Sequence, residues 1–439
     1  MFNRALKVVK KLNNNGYLAY IVGGAVRDMI LEKECHDIDI TTNAKPDEIE
    51  AVFSDCKTSF FGKKHGTIGV LFEDAWFEIT TFRRDGEYED NRRPKNVEFT
   101  DDLTLDLKRR DFTVNAMCYN PEGGYIDIFG GQADLKNGII RAVGDPAQRF
   151  KEDALRILRA VRFSSQLGFK IEENTKKAIT TCLPLINNIS KERIYTELCK
   201  ILQGEFVKMA LTEYSDVLFE IIPEFKKTKN FDQKSLSHKH GVYEHILEVV
   251  SLCDRNDLVL RLMALFHDVG KVYCFQDGND GYRHYYGHWE ASEQIAKQVL
   301  TRLRAPNDVV FEVSKLCLYH DADLKTKYEI KLILSKHSLE FFDRLLKHKY
   351  CDLITHSEHG IKKYKPYLDK TIKLYNEIIN NKECYKFSDL DFTGDDCIKL
   401  GIQDKKIGEV LSLVFDLVLK GILRNSKSII ENYIKHNIL

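Results

Sequence analysis

Strand-forming patterns stop about a third of the way along this chain of 439 residues, and helical patterns occupy the remainder. Before Asp145-Pro146, residues 17–22 are apolar and β-prone, residues 38–42 alternate, and 68–72 with 76–82 read as a hairpin around Glu73-Asp74. Residues 44–53 carry a proline near the start of a helical stretch. Beyond Pro146, apolar residues recur at helical spacing over 154–163, 174–179 and 191–202. A chain of this length is too long for one ordinary core. The pattern predicts an α+β protein: a small α/β head over 1–145, a helical neck over 146–230, a histidine-rich helical domain over 236–356, and a helical tail over 357–439. Pro223 and the polar run 226–240 read as a linker or domain boundary. The tail is lysine-rich over 362–380 and closes in a helical pair.

In the head, Val22-Gly23-Gly24-Ala25-Val26-Arg27-Asp28 precedes His36-Asp37-Ile38-Asp39-Ile40. In a strand, residues i and i+2 share a face, so Asp37 and Asp39 project together while Ile38 and Ile40 face a core. Two adjacent carboxylates repel unless a cation lies between them, and Mg²⁺ suits that place. A metal pair held this way can clamp the attacking and leaving oxygens of a phosphoryl transfer. Gly23 and Gly24 let backbone N–H groups approach a triphosphate. Glu78, in the strand Trp76 to Phe82, is available as a third carboxylate. Residues 83–93 are too polar to pack and too charged for a strand, and read as a mobile loop. Arg109 and Arg110 follow, beside the apolar run Phe112 to Met117. Arginine binds phosphate or a base edge with a fixed fork.

The stretch Lys151 to Phe163 reads as one helix, on which Asp153 and Arg156 share a face. A carboxylate accepts and a guanidinium donates. Cytosine and adenine both offer an amino donor beside a ring-nitrogen acceptor, whereas uracil and guanine present the reverse order. One Asp/Arg pair can therefore accept C and A and reject U and G.

The order of these motifs, closed by Ile189-Ser190-Lys191-Glu192-Arg193-Ile194-Tyr195-Thr196-Glu197-Leu198, resembles the class II tRNA nucleotidyltransferases, the family of CCA-adding enzymes and bacterial poly(A) polymerases, over residues 17–203. The resemblance implies a polymerase-β-like mixed sheet in the head and an elongated all-helical remainder. It makes Asp37 and Asp39 the Mg²⁺ ligands, with Glu78 as third catalytic carboxylate, and brings Gly23, Gly24 and Arg27 to the triphosphate. Asp153 and Arg156 become a protein template with Arg110 beside it, and Arg159 and Arg162 join the nucleotide-binding set. Residues 83–93 become the loop that helps switch between C and A addition.

The second half carries His245, the run Leu262 to Phe266 ending in His267-Asp268-Val269-Gly270-Lys271, then His288, His320 and Asp352. Imidazole and carboxylate together suit Mg, Mn, Fe, Ni or Zn. This order resembles the HD phosphohydrolase superfamily. The resemblance implies His245, His267, Asp268 and Asp352 as metal ligands, with His288 and His320 available for a second metal or a substrate phosphate.

The implied function is addition of C, C and A to tRNA 3′ ends from CTP and ATP without a nucleic-acid template, with a possible HD phosphohydrolase activity. The rivals are an A-adding, CC-adding or poly(A) polymerase relative, an HD phosphohydrolase acting on nucleotides or RNA ends, and a non-catalytic RNA-binding protein. Lys+Arg and Asp+Glu balance at 66 each, so RNA contact must come from local patches such as Lys362, Lys363 and Lys365. Eleven cysteines without Cys-x-x-Cys argue against a zinc ribbon and for reduced thiols. Residues 1–12 read as a basic amphipathic helix, not a leader. No apolar run spans a membrane, a cytoplasmic location is expected, and no obligate protein partner is evident.

Overall fold

The computed structural model describes the chain except residues 36, 61, 87, 90–92, 95 and 96, and gives backbone alone at 85, 88, 89, 93 and 94. It divides into two compact units, Met1–Pro223 and Glu224–Leu439.

The first unit opens with helix α1 (Phe2–Asn14), which buries Ala5, Val8, Val9 and Leu12 on one face. Seven strands form a mixed sheet in the order β11-β10-β1-β2-β5-β4-β3. They are β1 (Ala19–Val22), β2 (Asp39–Thr42), β3 (Lys57–Ser59), β4 (Thr67–Phe72), β5 (Ala75–Thr81), β10 (Met117–Asn120) and β11 (Gly124–Asp127). The pair β2–β5 is parallel, and the other neighbours are antiparallel. The expected hairpin forms: Glu73 and Asp74, at φ 46° and 64°, make the two-residue turn between β4 and β5. Helices α2 (Gly24–Ile30) and α3 (Pro46–Val52) lie between the early strands.

The span read as a mobile loop is partly strand. β6 (Arg83–Asp85) pairs with β9 (Val97–Phe99), and the short β7 (Tyr88–Glu89) pairs with β8 (Arg93–Pro94). Backbone pairing tolerates charged side chains that leave the sheet for water, which a hydropathy argument misses. Residues 87 and 90–92 of that loop lie outside the described residues.

Helix α4 (Leu103–Lys108) leads to the motif Arg109 to Met117, and α5 (Gly131–Asn137) ends the head. Six helices follow: α6 (Pro146–Glu152), α7 (Leu155–Leu167), α8 (Glu173–Cys182), α9 (Lys191–Leu202), α10 (Val207–Glu213) and α11 (Ser215–Ile221). Arg162 of α7 donates from Nη1 to both carboxylate oxygens of Glu197 on α9, each at 3.0 Å, with both side chains buried. Removing one partner leaves an uncompensated buried charge. Glu197→Ala is expected to cost about 3–5 kcal/mol in urea unfolding, and Arg162→Met in the same chain should recover much of it.

The second unit is helical among its described residues apart from one two-residue hairpin. Its helices are α12 (Val242–Leu252), α13 (Leu258–Phe266), α14 (His288–Arg302), α15 (Asn307–Tyr319), α16 (Lys327–Leu334), α17 (Leu339–Thr355), α18 (Glu358–Asn380), α19 (Gly394–Lys399), α20 (Lys405–Leu419) and α21 (Lys427–Asn437). The boundary expected here falls at Pro223, where the two units divide, but the run after it is no free linker: Phe225, Thr228 and Gln233 are buried, because the polar run hides its few apolar and amide groups against this unit. The tail ends in three helices, not two, around a core that includes Phe392, Cys397, Val414, Ile430 and Ile434. All eleven cysteines are free thiols. No helix among the described residues is long and apolar enough to cross a membrane.

Candidate functional site

The carboxylate face of the first unit is built by strand register. Asp37 and Asp39 are exposed while Ile38 and Ile40 are buried, the alternation expected from the sequence. Asp39 is paired in register with Glu78 of the parallel neighbour β5, and Glu78 is also exposed. The crowded surroundings push the Asp39 carboxyl up from its ordinary value; Arg110 opposes this, and Asp37 and Glu78 reinforce it. Three carboxylates brought to one face by strand register form an oxygen donor set suited to a hard divalent cation. Gly23 borders them with φ 76°. A Cβ there would sit 3.2 Å from Arg110 Nη1 and 4.0 Å from Asp39 Oδ2, so the bare backbone is what lets the turn approach.

Arg27 is held by Asp28, by Asn115 Oδ1 at 2.9 Å, and over the Phe163 ring at 5.3 Å. Arg110 is four residues after the fully buried Asp106 and reaches it at 3.5 Å. That contact and its approach to Gly23 bring Arg110 to the carboxylates. The sequence reading had it beside Asp153 and Arg156; the side-chain contacts it makes are with Asp106 and the Gly23 turn. Its neighbour Arg109 meets Arg156, through a backbone carbonyl accepting from Arg156 Nη2 at 2.8 Å.

The single helix expected over 151–163 is broken. Asp153, at φ −137° and ψ 103°, ends α6, and its carboxylate accepts from the Leu155 N–H at 3.1 Å as α7 begins. Aspartate caps a helix well, and the break follows from that competition. Asp153 and Arg156 therefore do not pair with each other. Asp153 accepts from Arg193 of α9 at 2.8 Å, and Arg156 donates to Glu152 at 2.9 Å. Arg159 donates to Asp111 at 2.7 Å; burial opposes that carboxylate's charge, but Arg159 outweighs it and holds the pKa at about 2. Arg162 is committed to Glu197, as described above. Arg193, Glu152, Asp111 and Asn115 thus belong to the constellation although the sequence reading gave them no part. Arg193 lies in a quoted motif, which was the available signal.

The second unit gathers all six expected metal ligands. His267 caps α13, and Gly270 lets the following turn press on α14, where a Cβ would meet the His288 carbonyl oxygen at 2.3 Å. His245 Nε2 lies 3.3 Å from His267 Nε2, 3.3 Å from Asp268 Oδ2 and 3.0 Å from Asp352 Oδ1. The other Asp268 oxygen lies 3.5 Å from His288 Nε2 and 3.6 Å from His320 Nε2, which are 3.1 Å apart. Burial disfavours charge on Asp268, but Lys271 and the two histidines His267 and His245 hold its pKa well below the usual range.

The ring orientations test the fit of a metal. His267 Nδ1 faces the Ala264 carbonyl, His288 Nδ1 that of Tyr285, and His320 Nδ1 that of Cys317. His245 Nδ1 faces Thr355 Oγ1, which itself donates to the Asp352 carbonyl. Each Nδ1 therefore carries the hydrogen, and four Nε2 lone pairs point inward at two carboxylates. Lone pairs facing one another at these distances call for cations. Three further histidines surround the group unforeseen: the buried His348 and His356 and the half-buried His238. Lys362, Lys363 and Lys365 are exposed on α18, and Lys365 is paired with Asp369 at 3.0 Å.

Three family profiles match the chain: the poly A polymerase head domain over residues 19–141, the probable RNA- and SrmB-binding site of polymerase A over 168–227, and the HD domain over 242–350. The CCA-adding enzyme of Bacillus licheniformis is 50% identical over 224 residues, 51% of this chain and 56% of that protein. That of Ligilactobacillus salivarius is 49% identical over 261 residues, 58% of this chain and 64% of that protein. The chain thus spans a little over half the length of these curated relatives. The crystal structure of the Bacillus stearothermophilus CCA-adding enzyme in complex with CTP superposes with a TM-score of 0.71 at 29% identity, covering 99% of this chain and 97% of that one.

Proposed function

This chain belongs to the superfamily of class II tRNA nucleotidyltransferases and bacterial poly(A) polymerases and carries an HD domain, and from that premise we propose that it adds C, C and A to tRNA 3′ ends. The register match of Asp39 with Glu78, on the face that Asp37 shares, carries this reading. Mg²⁺ held by these carboxylates would supply charge neutralisation at the reacting phosphate oxygens. The chain's own residues do the rest. The Gly23 turn and Arg110 present donors to the triphosphate, and Arg27 is braced by Asn115 and Phe163. Asp153 accepts from the amino group of C or A while Arg156 donates to the ring nitrogen, and U and G set an acceptor against the carboxylate and a donor against the guanidinium. No nucleic-acid template is required. Lys362 and Lys363 are phosphate contacts for tRNA; Lys365, already paired, contributes less. The enzyme works in the cytoplasm.

The test uses tRNA ending before CCA, with each nucleotide supplied alone and combined. Two C residues from CTP followed by one A from ATP are expected. A long A tail from ATP alone, or arrest after one base type, identifies a specialised relative, and no incorporation removes the reading.

Because Arg193 holds the Asp153 carboxylate, Arg193→Ala is expected to loosen base selection. The ratio of kcat/KM for CTP over UTP should fall by about tenfold, as for a hydrogen-bonded specificity contact left unfixed. Single-nucleotide incorporation kinetics measure it.

A second activity rests on the inward Nε2 lone pairs of the second unit. We infer a metal-dependent phosphohydrolase using Mn, Fe, Ni or Zn at His245, His267, Asp268 and Asp352, and at Asp268 with His288 and His320. Its substrates are phosphate esters.

A further inference from the structure

The open face of the head sheet carries more than carboxylates. On β5, Trp76 stands two residues before Glu78, so both side chains leave the same face, about 7 Å apart along the strand. The alternate residues Ala75, Phe77 and Ile79 are buried, whereas Trp76 is 54% exposed. A single exposed apolar residue is ordinary; this one matters because of what shares its face. The register of β4 prepares its position, pairing Leu71 with Trp76 and Gly69 with Glu78. Gly69 is therefore diagonal to Trp76, a separation that an aromatic side chain can span. A Cβ built on Gly69 would meet Trp76 Cε3 and Cζ3 at 3.6 Å. The six-membered ring of the indole thus leans over the bare glycine, towards the row that holds Glu78. On β3, Lys57 pairs with Leu71 and continues the Trp76 row, and it is exposed.

Sheet order decides which substrate this ring can serve. Gly23, Arg27 and Arg110, the groups assigned to the triphosphate, gather where β1 ends, on one flank of β2; β5 and β4 lie on the other. In a phosphoryl transfer the attacking and leaving oxygens are roughly in line, so the hydroxyl approaches from the flank away from the pyrophosphate. That is the flank of Glu78 and Trp76. The RNA end that brings the hydroxyl is single-stranded, and single strands are held by aromatic rings on which bases stack, with cations along the backbone. Stacking tolerates any base, because every base has a π-face. A primer whose last base changes with each addition needs that tolerance. Lys57 lies on the outer side, where the backbone behind a stacked base would run.

We propose that Trp76 is the stacking platform for the last base of the RNA being extended, and that this contact sets the 3′-hydroxyl beside Glu78 and Asp39. This rests on the nucleotidyltransferase reading of the first unit. Trp76 binds and positions, and the carboxylates keep the chemistry.

The chain has two tryptophans, so Trp289→Phe leaves Trp76 as its sole indole. In that background, tRNA ending before CCA should quench the indole fluorescence with no nucleotide present, and CTP alone should not. Single-nucleotide incorporation kinetics supply the second readout. Trp76→Ala should raise the KM for tRNA about tenfold, the value of one base–aromatic stack, and leave the KM for CTP unchanged. Trp76→Phe should recover most of the loss. With a tRNA whose last nucleotide is abasic, the wild-type chain and Trp76→Ala should have the same KM. Quenching by CTP and not by tRNA would overturn the platform, and so would an unchanged KM for tRNA in Trp76→Ala. A tenfold rise that persists with the abasic end also overturns it, because the indole is then not meeting the base. Any of these in a chain that still extends tRNA sinks the platform alone. A wild-type chain that incorporates no nucleotide sinks the transferase reading and the platform with it.

Discussion

Replacing Asp39 by alanine is expected to lower CMP and AMP incorporation into tRNA by at least about a thousandfold, corresponding to the several kcal/mol that a positioned cation contributes to transition-state charge. The residue is exposed at the start of β2, and the buried Ile38 and Ile40 on either side stay in place, so folding should be little affected. Asp37 and Glu78 would remain, but the carboxylate between them and Arg110 would be gone. Arg110 keeps Asp106 as a partner and can swing away from the Gly23 turn. The loss therefore combines a missing ligand with a misplaced donor. Incorporation is followed on tRNA ending before CCA, with manganese content of the same preparation as the control for the second unit. Retention of more than a tenth of wild-type activity would falsify the assignment of Asp39.

How much of this was legible in the sequence depends on the range of the interaction. Asp37, Asp39 and the buried isoleucines follow from a period of two, and the turn at Glu73-Asp74 from its flanking runs, because each is local. The pairing of Asp39 with Glu78 joins residues on separate strands, and only their shared alternation made it a candidate. Asp153 was misread for a specific reason. The helical stripe over 154–163 runs up to it, but an aspartate carboxylate competes for backbone N–H groups, and that competition ended one helix and began another. With the helix broken, the partners changed to Arg193 and Glu152, residues that spacing along one helix does not suggest. His238 and His356 were missed for a related reason. Both lie at element ends, where no periodicity marks a face, and they meet only through a backbone bridge between distant segments. The six residues expected as metal ligands of the second unit come together in the structure, and their types and order are what marked them in the sequence.

Asp268→Asn is expected to weaken manganese binding to the second unit by at least about a hundredfold, more than a supporting residue would cost. Asp268 is the residue that both halves of the donor set share: Oδ2 meets His245 and His267, and Oδ1 meets His288 and His320. His267→Ala removes one nitrogen from one half, whereas losing this carboxylate's charge affects both. Asparagine preserves the shape, so the surrounding histidines keep their Nδ1 contacts. A second consequence separates charge from geometry. Lys271 donates to Asp268 at 2.6 Å and is almost wholly buried, so the variant leaves an ammonium without its counter-charge. The expected cost is about 3–5 kcal/mol in urea unfolding of the metal-free protein. Adding Lys271→Met should restore most of that stability and none of the manganese affinity. If stability and metal binding recovered together, Asp268 would be acting through the packing of its ion pair. If metal binding stays lost while stability returns, its carboxylate is the bridge.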